Sequence, residues 1–136
     1  MSVVFLDTSF LVDLLRERNR KEEGPAVQKL RSLGETDVVI SVFTLCELRA
    51  GAVLSGNPTL ELDRVMKLVE PLPVIYPDSS FPVLYGETLA ELTRDGIPVP
   101  VMDLLLAVLA KRFAFPILTR DARHFKKIAG LEISTY

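Results

Sequence analysis

The chain has 136 residues, 49% of them apolar and 25% charged, with a formal net charge of −2 at pH 7. That length suits one domain with a hydrophobic core of its own, and a single cysteine excludes an intrachain disulfide. With no recognisable signal peptide, the expected setting is reducing and cytoplasmic. Every apolar run is broken by charge well short of the roughly 20 residues that cross a bilayer, so no membrane is expected. The balance argues against binding nucleic acid through global positive charge, while leaving room for a local basic strip.

In chain order, Val3 to Leu6 form a short β-branched and apolar run of the kind that makes a fully buried strand. Asp7, Thr8 and Ser9 follow, and then Phe10, Leu11, Leu14 and Leu15 at helical spacing. The pattern predicts that this helix dissolves in the mixed-charge stretch RERNRKEE before Gly24 and Pro25. Pro25 suits a first helical turn, Val27, Leu30 and Leu33 mark one apolar side, and Gly34 is the stop. A second buried strand is expected at Val38 to Ile40, with Ser41 as N-cap of a third helix, VFTLCELRAGAVL. On that helix Glu47 shares a face with Phe43, Thr44, Ala50 and Gly51, which predicts a carboxylate among small and apolar neighbours; Leu45, Leu48 and Arg49 lie opposite, and Cys46 is expected in the core.

Gly56, Asn57 and Pro58 end the third helix, and Thr59 is the expected cap of a fourth. Its apolar stripe reads Leu62, Val65, Met66 and Val69, with Glu61, Asp63, Arg64 and Lys67 in water. Pro71 to Ile75 reads as a third strand, at an edge because of its prolines. Asp78 to Ser80 cap a helix running through Val83, Leu84, Leu89 and Leu92 to Gly96. The proline-stiffened loop DGIPVPVMD then delivers Asp103 to the start of an almost wholly apolar, interior helix. Pro116 to Thr119 is the fourth strand, Ala122 to Lys127 a short basic helix, and Leu131 to Ile133 a last edge strand. Strands alternating with helices imply right-handed crossovers, hence a three-layer α/β/α sandwich with a mostly parallel central sheet.

Four acids stand at strand ends or beside them: Asp7, Glu47, Asp103 and Asp121. Any aspartate at a helix start can be a mere N-cap worth about 1 kcal/mol, and Glu47 can be half of a buried salt bridge. As a set they point elsewhere, because ligands in open α/β sheets bind at the carboxyl ends of the strands. Clustered carboxylates repel one another by several kcal/mol unless something positive lies among them. Hard oxygen donors of this kind suit Mg²⁺ or Mn²⁺.

Nearly the whole chain resembles the PIN-domain family, and within it the VapC-type ribonuclease toxins of prokaryotic toxin–antitoxin pairs. The likeness is carried by LDTSFLVDLL, SVFTLCELRAG, GIPVPVMDLLLAVLAK and ILTRDARHFKKIAGLEI, in that order and spacing. Family positions match Asp7 after the first strand, Ser41, Thr44, Glu47 and Leu48 in an S-x-x-T-x-x-E-L pattern, Asp103 at the head of a buried helix, and Thr119 with Asp121 in T-x-D. The resemblance implies one PIN-like domain over residues 1–136 and a ribonuclease using one or two Mg²⁺ or Mn²⁺ ions. Asp7, Asp103 and Asp121 would bind the metal, Glu47 would bind a second ion or orient water, and Ser9 and Thr119 would support the carboxylates. It further implies an RNA substrate, a cognate antitoxin and a homodimer.

The basic stretch beside the fourth acid, Arg120, Arg123, Lys126 and Lys127, is a candidate for holding RNA phosphates, with a solvated surface as the plainer explanation. His124 is expected at the surface or against RNA, and Asp13 facing solvent. A phosphatase of the haloacid dehalogenase type also begins with an aspartate after a first strand, but it needs a second aspartate where Ser9 stands. A non-catalytic PIN-like module that binds RNA or protein is the remaining alternative.

Overall fold

The alternation of apolar runs and helical stretches resolves, in a computed structural model that describes residues 2–136, into five strands and six α-helices. The strands are β1 (Val3–Leu6), β2 (Asp37–Ser41), β3 (Val74–Ile75), β4 (Ile117–Leu118) and β5 (Ile133–Ser134). The helices are α1 (Thr8–Arg20), α2 (Pro25–Ser32), α3 (Val42–Val53), α4 (Pro58–Val69), α5 (Phe81–Arg94) and α6 (Val101–Phe113). All strand pairings are parallel, in the order β3-β2-β1-β4-β5. From β1 the chain steps outward to β2 and β3, then returns to the other side of β1 for β4 and β5. The order reverses between β1 and β4, which makes that crevice the topological switch point where such sheets bind ligands.

Each strand residue points to the face opposite its neighbour's, so the central strands feed two cores. Val4, Leu6, Ile40 and Leu118 pack with α1 and with Leu48, Ala52, Val65 and Leu68 of α3 and α4. Phe5, Val39 and Ile117 pack on the other face with Phe81 and Leu92 of α5 and with α6. Burial on both faces explains why β1 reads as an unbroken apolar run. No helix among the described residues is long and apolar enough to cross a membrane.

Several local expectations are corrected. Helix α1 continues through Arg16 to Arg20 and closes on Lys21 in the left-handed conformation. It persists because Glu17 has a task beyond its own helix: its two carboxylate oxygens accept the Ala26 and Val27 N–H groups at 3.0 Å each, capping α2, whose Gly24 N-cap has no side chain. The cap of α4 is Asn57, which accepts the Leu60 N–H, with Pro58 as first helical residue, so Thr59 lies inside the helix. Leu68 belongs to the buried stripe of α4 and Met66 does not, being 44% exposed. Likewise α3 buries Leu48 and leaves Cys46 exposed, and in α5 Phe81, Thr88 and Leu92 are inside while Val83 and Leu89 are out. Beyond β4 only Phe125–Lys127 form a single 3₁₀ turn, and the last strand lies two residues later than expected.

Glu17→Ala removes both side-chain acceptors that cap the start of α2 and is expected to lower stability by about 1 kcal/mol. In a thermal melt that is a drop of about 4 °C, and Glu17→Gln recovers part of it by keeping one carbonyl acceptor.

Candidate active site

Asp7 is the first residue after β1, one step past the paired Leu6 and Leu118, and is buried at the switch point. A carboxylate there needs partners, because its charge has lost water. The Thr8 backbone N–H donates to Oδ1 at 2.8 Å, and the Thr119 hydroxyl to Oδ2 at 2.8 Å. The Ser9 hydroxyl lies 3.2 Å from Oδ2 and 3.1 Å from Thr119 Oγ1, and it accepts the Arg120 N–H at 3.1 Å. The end of β4 is thereby fastened to the start of α1 through the two hydroxyls flanking Asp7. Burial is the largest influence on Asp7 and raises its pKa; the bonds from Thr119, Thr8 and Ser9 pull the other way.

Asp103, in the first turn of α6, lines the same pocket, and its pKa is pushed up to about 6. Burial is the leading cause, with the charges of Asp7, Glu47 and Asp121 adding to it and His124 opposing. Asp121 goes the opposite way, down to about 2, because the Arg123 side chain grips its carboxylate: Nε lies 2.8 Å from Oδ2, and the Arg123 N–H reaches Oδ1 at 3.0 Å. Glu47 is exposed, correcting the expectation of an apolar setting. Helical spacing gave its neighbours correctly, but that face of α3 borders the pocket, and its Oε1 accepts the Thr8 hydroxyl at 2.7 Å.

The four acids therefore line one cavity of about 190 Å³, together with Ser9 and Thr119. Its donor set fits a small divalent cation: hard oxygens only, with Asp7 and Asp103 both displaced upward in pKa by burial, and Asp103 further by its acidic neighbours. Among the described residues no three acidic or imidazole groups come together closely enough to hold one ion, and Asp121 is turned onto Arg123. Of the basic residues read as RNA contacts, Arg120 is paired with Asp13 at 2.8 Å and Arg123 with Asp121, while Lys126 and Lys127 are exposed.

Two residues, Thr8 and Asp13, escaped the sequence reading. Thr8 bonds Glu47 across 39 positions, which no local pattern signals. Asp13 does not face solvent freely: its side chain is only 17% exposed, and it accepts Arg120 and, at 2.5 Å, the Tyr136 hydroxyl. His124, expected at the surface or against RNA, lies in the wall of the cavity.

Comparison with known proteins identifies the family. The sequence pattern of the PIN domain matches residues 4–131, and the chain belongs to the PIN-domain family. It is 31% identical over 111 residues to the tRNA(fMet)-specific endonuclease VapC of Shigella flexneri, which covers 82% of this chain and 84% of that protein. It is 28% identical over 130 residues to Ribonuclease VapC1 of Haemophilus influenzae, covering 96% and 95%. Among solved structures, DNA-bound VapBC from Salmonella typhimurium is similar with a TM-score of 0.87 at 27% identity, over 99% of this chain and 98% of that one. VapBC2 from Rickettsia felis reaches 0.88 at 22% identity over 98% of each, a likeness of fold.

The Asp103 carboxyl titrates higher in the folded chain than its ordinary value of about 4. The folded state therefore keeps a proton that the unfolded chain loses first, and this contribution to stability is full below about pH 4 and lost as pH rises through about 6. In chelator-treated buffer at pH 7, Asp103→Asn is expected to melt about 3 °C above the native protein, a solvent-screened figure. The gap should close toward pH 4; a gap independent of pH would contradict the assignment.

Proposed function

We propose that this protein is a metal-dependent endoribonuclease hydrolysing RNA phosphodiester bonds, the toxin component of a VapBC-type toxin–antitoxin pair, with Asp7, Glu47, Asp103 and Asp121 as its catalytic set. The observation that carries the reading is the convergence of these acids in one cavity at the switch point, with Asp103 displaced to about 6. The named nuclease activities of the relatives support it.

Asp7, Asp103 and Asp121 would hold Mg²⁺ or Mn²⁺, Asp7 already fixed by Thr119 and Ser9 and Asp121 exchanging Arg123 for the ion. When bound, such a cation supplies the positive charge that lets a polyanion enter an acidic site and acidifies the attacking water. Glu47 is restrained through Oε1 by Thr8, which would leave Oε2 free to orient an attacking water and take up its proton. Lys126 and Lys127, exposed beside the site, supply screening charge for the RNA backbone.

The partner in this reading is a cognate antitoxin, as the VapBC assemblies of the structural relatives suggest. An apolar groove of about 260 Å³ between α1, α3 and α4, lined by Val12, Leu15, Leu48, Ala52 and Val65, runs up to Thr8 and Glu47 and supports it. We also propose a homodimer, for which light scattering should give twice the 15.1 kDa of one chain; a monomer mass at micromolar concentration would refute it.

Purified protein should cleave a mixed RNA pool with Mg²⁺ or Mn²⁺, stop on chelation, and lose at least about 100-fold in rate as Asp103→Asn. Equal cleavage by native protein and variant would remove the acids from the chemistry and favour a binding module of the same fold.

A further inference from the structure

The cavity is built almost wholly of hydrogen-bond acceptors, and a phosphate inside it needs donors. Ionised carboxylates have no proton to give. The Thr8 hydroxyl is committed to Glu47 and that of Thr119 to Asp7, and Ser9 lies between Asp7 and Thr119 while accepting the Arg120 N–H. At the rim the guanidinium groups of Arg120 and Arg123 are bonded to Asp13 and Asp121. Phe125 completes the wall without a polar group. Among the described residues, the one side-chain donor lining the cavity without a hydrogen bond is the imidazole of His124, the only histidine in the chain.

Resting on the ribonuclease reading, we propose that His124 contacts the substrate, donating from Nε2–H to a non-bridging oxygen of an RNA phosphate in this cavity. The ring's own setting selects the atom. His124 Nδ1 is buried with no hydrogen-bond partner, and it is the only buried side-chain nitrogen or oxygen so left among the described residues. A buried N–H without an acceptor costs the full desolvation of that group, so the ring proton sits on Nε2, where solvent or substrate can accept it. Nδ1 stays bare, and the ring presents its Nε2–H as the donor. The imidazole lines the same cavity as Asp103 and Asp121, which puts its donor among the acids where a phosphate would lie in the ribonuclease reading.

Steady-state cleavage of a labelled oligoribonucleotide with Mn²⁺ tests this in the native protein, His124→Asn and His124→Leu, alongside calorimetric Mn²⁺ binding to each protein without RNA. Loss of one donor should raise KM about tenfold in His124→Leu with kcat held within about twofold. His124→Asn, which keeps an N–H, should stay within about threefold of native, and all three should bind Mn²⁺ alike. If the leucine variant melts early, His124→Phe, a ring without a donor, takes its place. A native KM in the donorless variant, or Mn²⁺ affinity falling with the histidine, would overturn the proposal. If the native protein neither cleaves nor binds the RNA, the ribonuclease reading falls with it; native cleavage with an unaffected variant removes the histidine role alone.

Discussion

Keeping the Asp7 carboxylate buried between the ends of β1 and β4 is the constraint on which the rest of the molecule depends. The position is set by topology, since the strand order reverses there and two crossovers leave in opposite directions. A charge so placed loses several kcal/mol of hydration unless it is bonded. The Thr8 N–H and the Thr119 and Ser9 hydroxyls meet that need with donors that carry no charge themselves. A lysine or arginine in their place would have neutralised the group and closed it to a cation. Neutral donors hold its geometry and leave its charge unspent.

The same logic separates the acids of the site that are free of cations from those that are paired with one. Among the described residues no cationic side chain is bonded to Asp7 or Asp103, and both are raised in pKa, burial first. Asp13 and Asp121 each have an arginine, and Asp121 is lowered accordingly. The difference bears on the basic stretch after β4, whose residues look equivalent along the sequence. Arg120 and Arg123 already serve carboxylates, Arg120 also fastening the β4 end through its backbone N–H to Ser9. Surface pairs of this sort are worth about 1 kcal/mol or less, so they can exchange partners when phosphate or metal arrives.

How far the sequence could be read follows from where each residue's environment comes from. Strand runs such as Val3 to Leu6 are buried on both faces, and apolar continuity alone announces them. Strand ends were legible for the same reason, and Asp7 and Asp121 come together because the ends of β1 and β4 meet at the switch point, while Asp103 is brought to them by the first turn of α6. The faces of α3, α4 and α5 were not legible in detail: Leu48 in, Met66 out and Val83 out depend on where each helix docks, and periodicity gives an apolar arc without its centre. Glu47 illustrates the limit. Its helical neighbours were read correctly, yet whether they close over it or open onto a cavity is decided by Thr8 of another helix.

Asp13 and Tyr136 carry the point from packing to function. Read locally, Asp13 lies well inside α1 and shows nothing but a solvent-facing acid. In the fold it binds Arg120 on one oxygen and the Tyr136 hydroxyl on the other, and Tyr136 stands edge-on to the buried Phe10 ring at 5.0 Å between centroids. A continuous path of hydrogen bonds therefore runs from Tyr136 through Asp13 and Arg120 to Ser9 and so to Asp7. Each link is modest, about 1 kcal/mol, but the links act in series on a loop that has little regular structure after β4. That loop carries Thr119, Asp121 and His124, so its placement decides whether the cavity has its fourth acid and its donor together. The rigidity of the site thus comes less from the short strand β4 than from side chains recruited at opposite ends of the sequence.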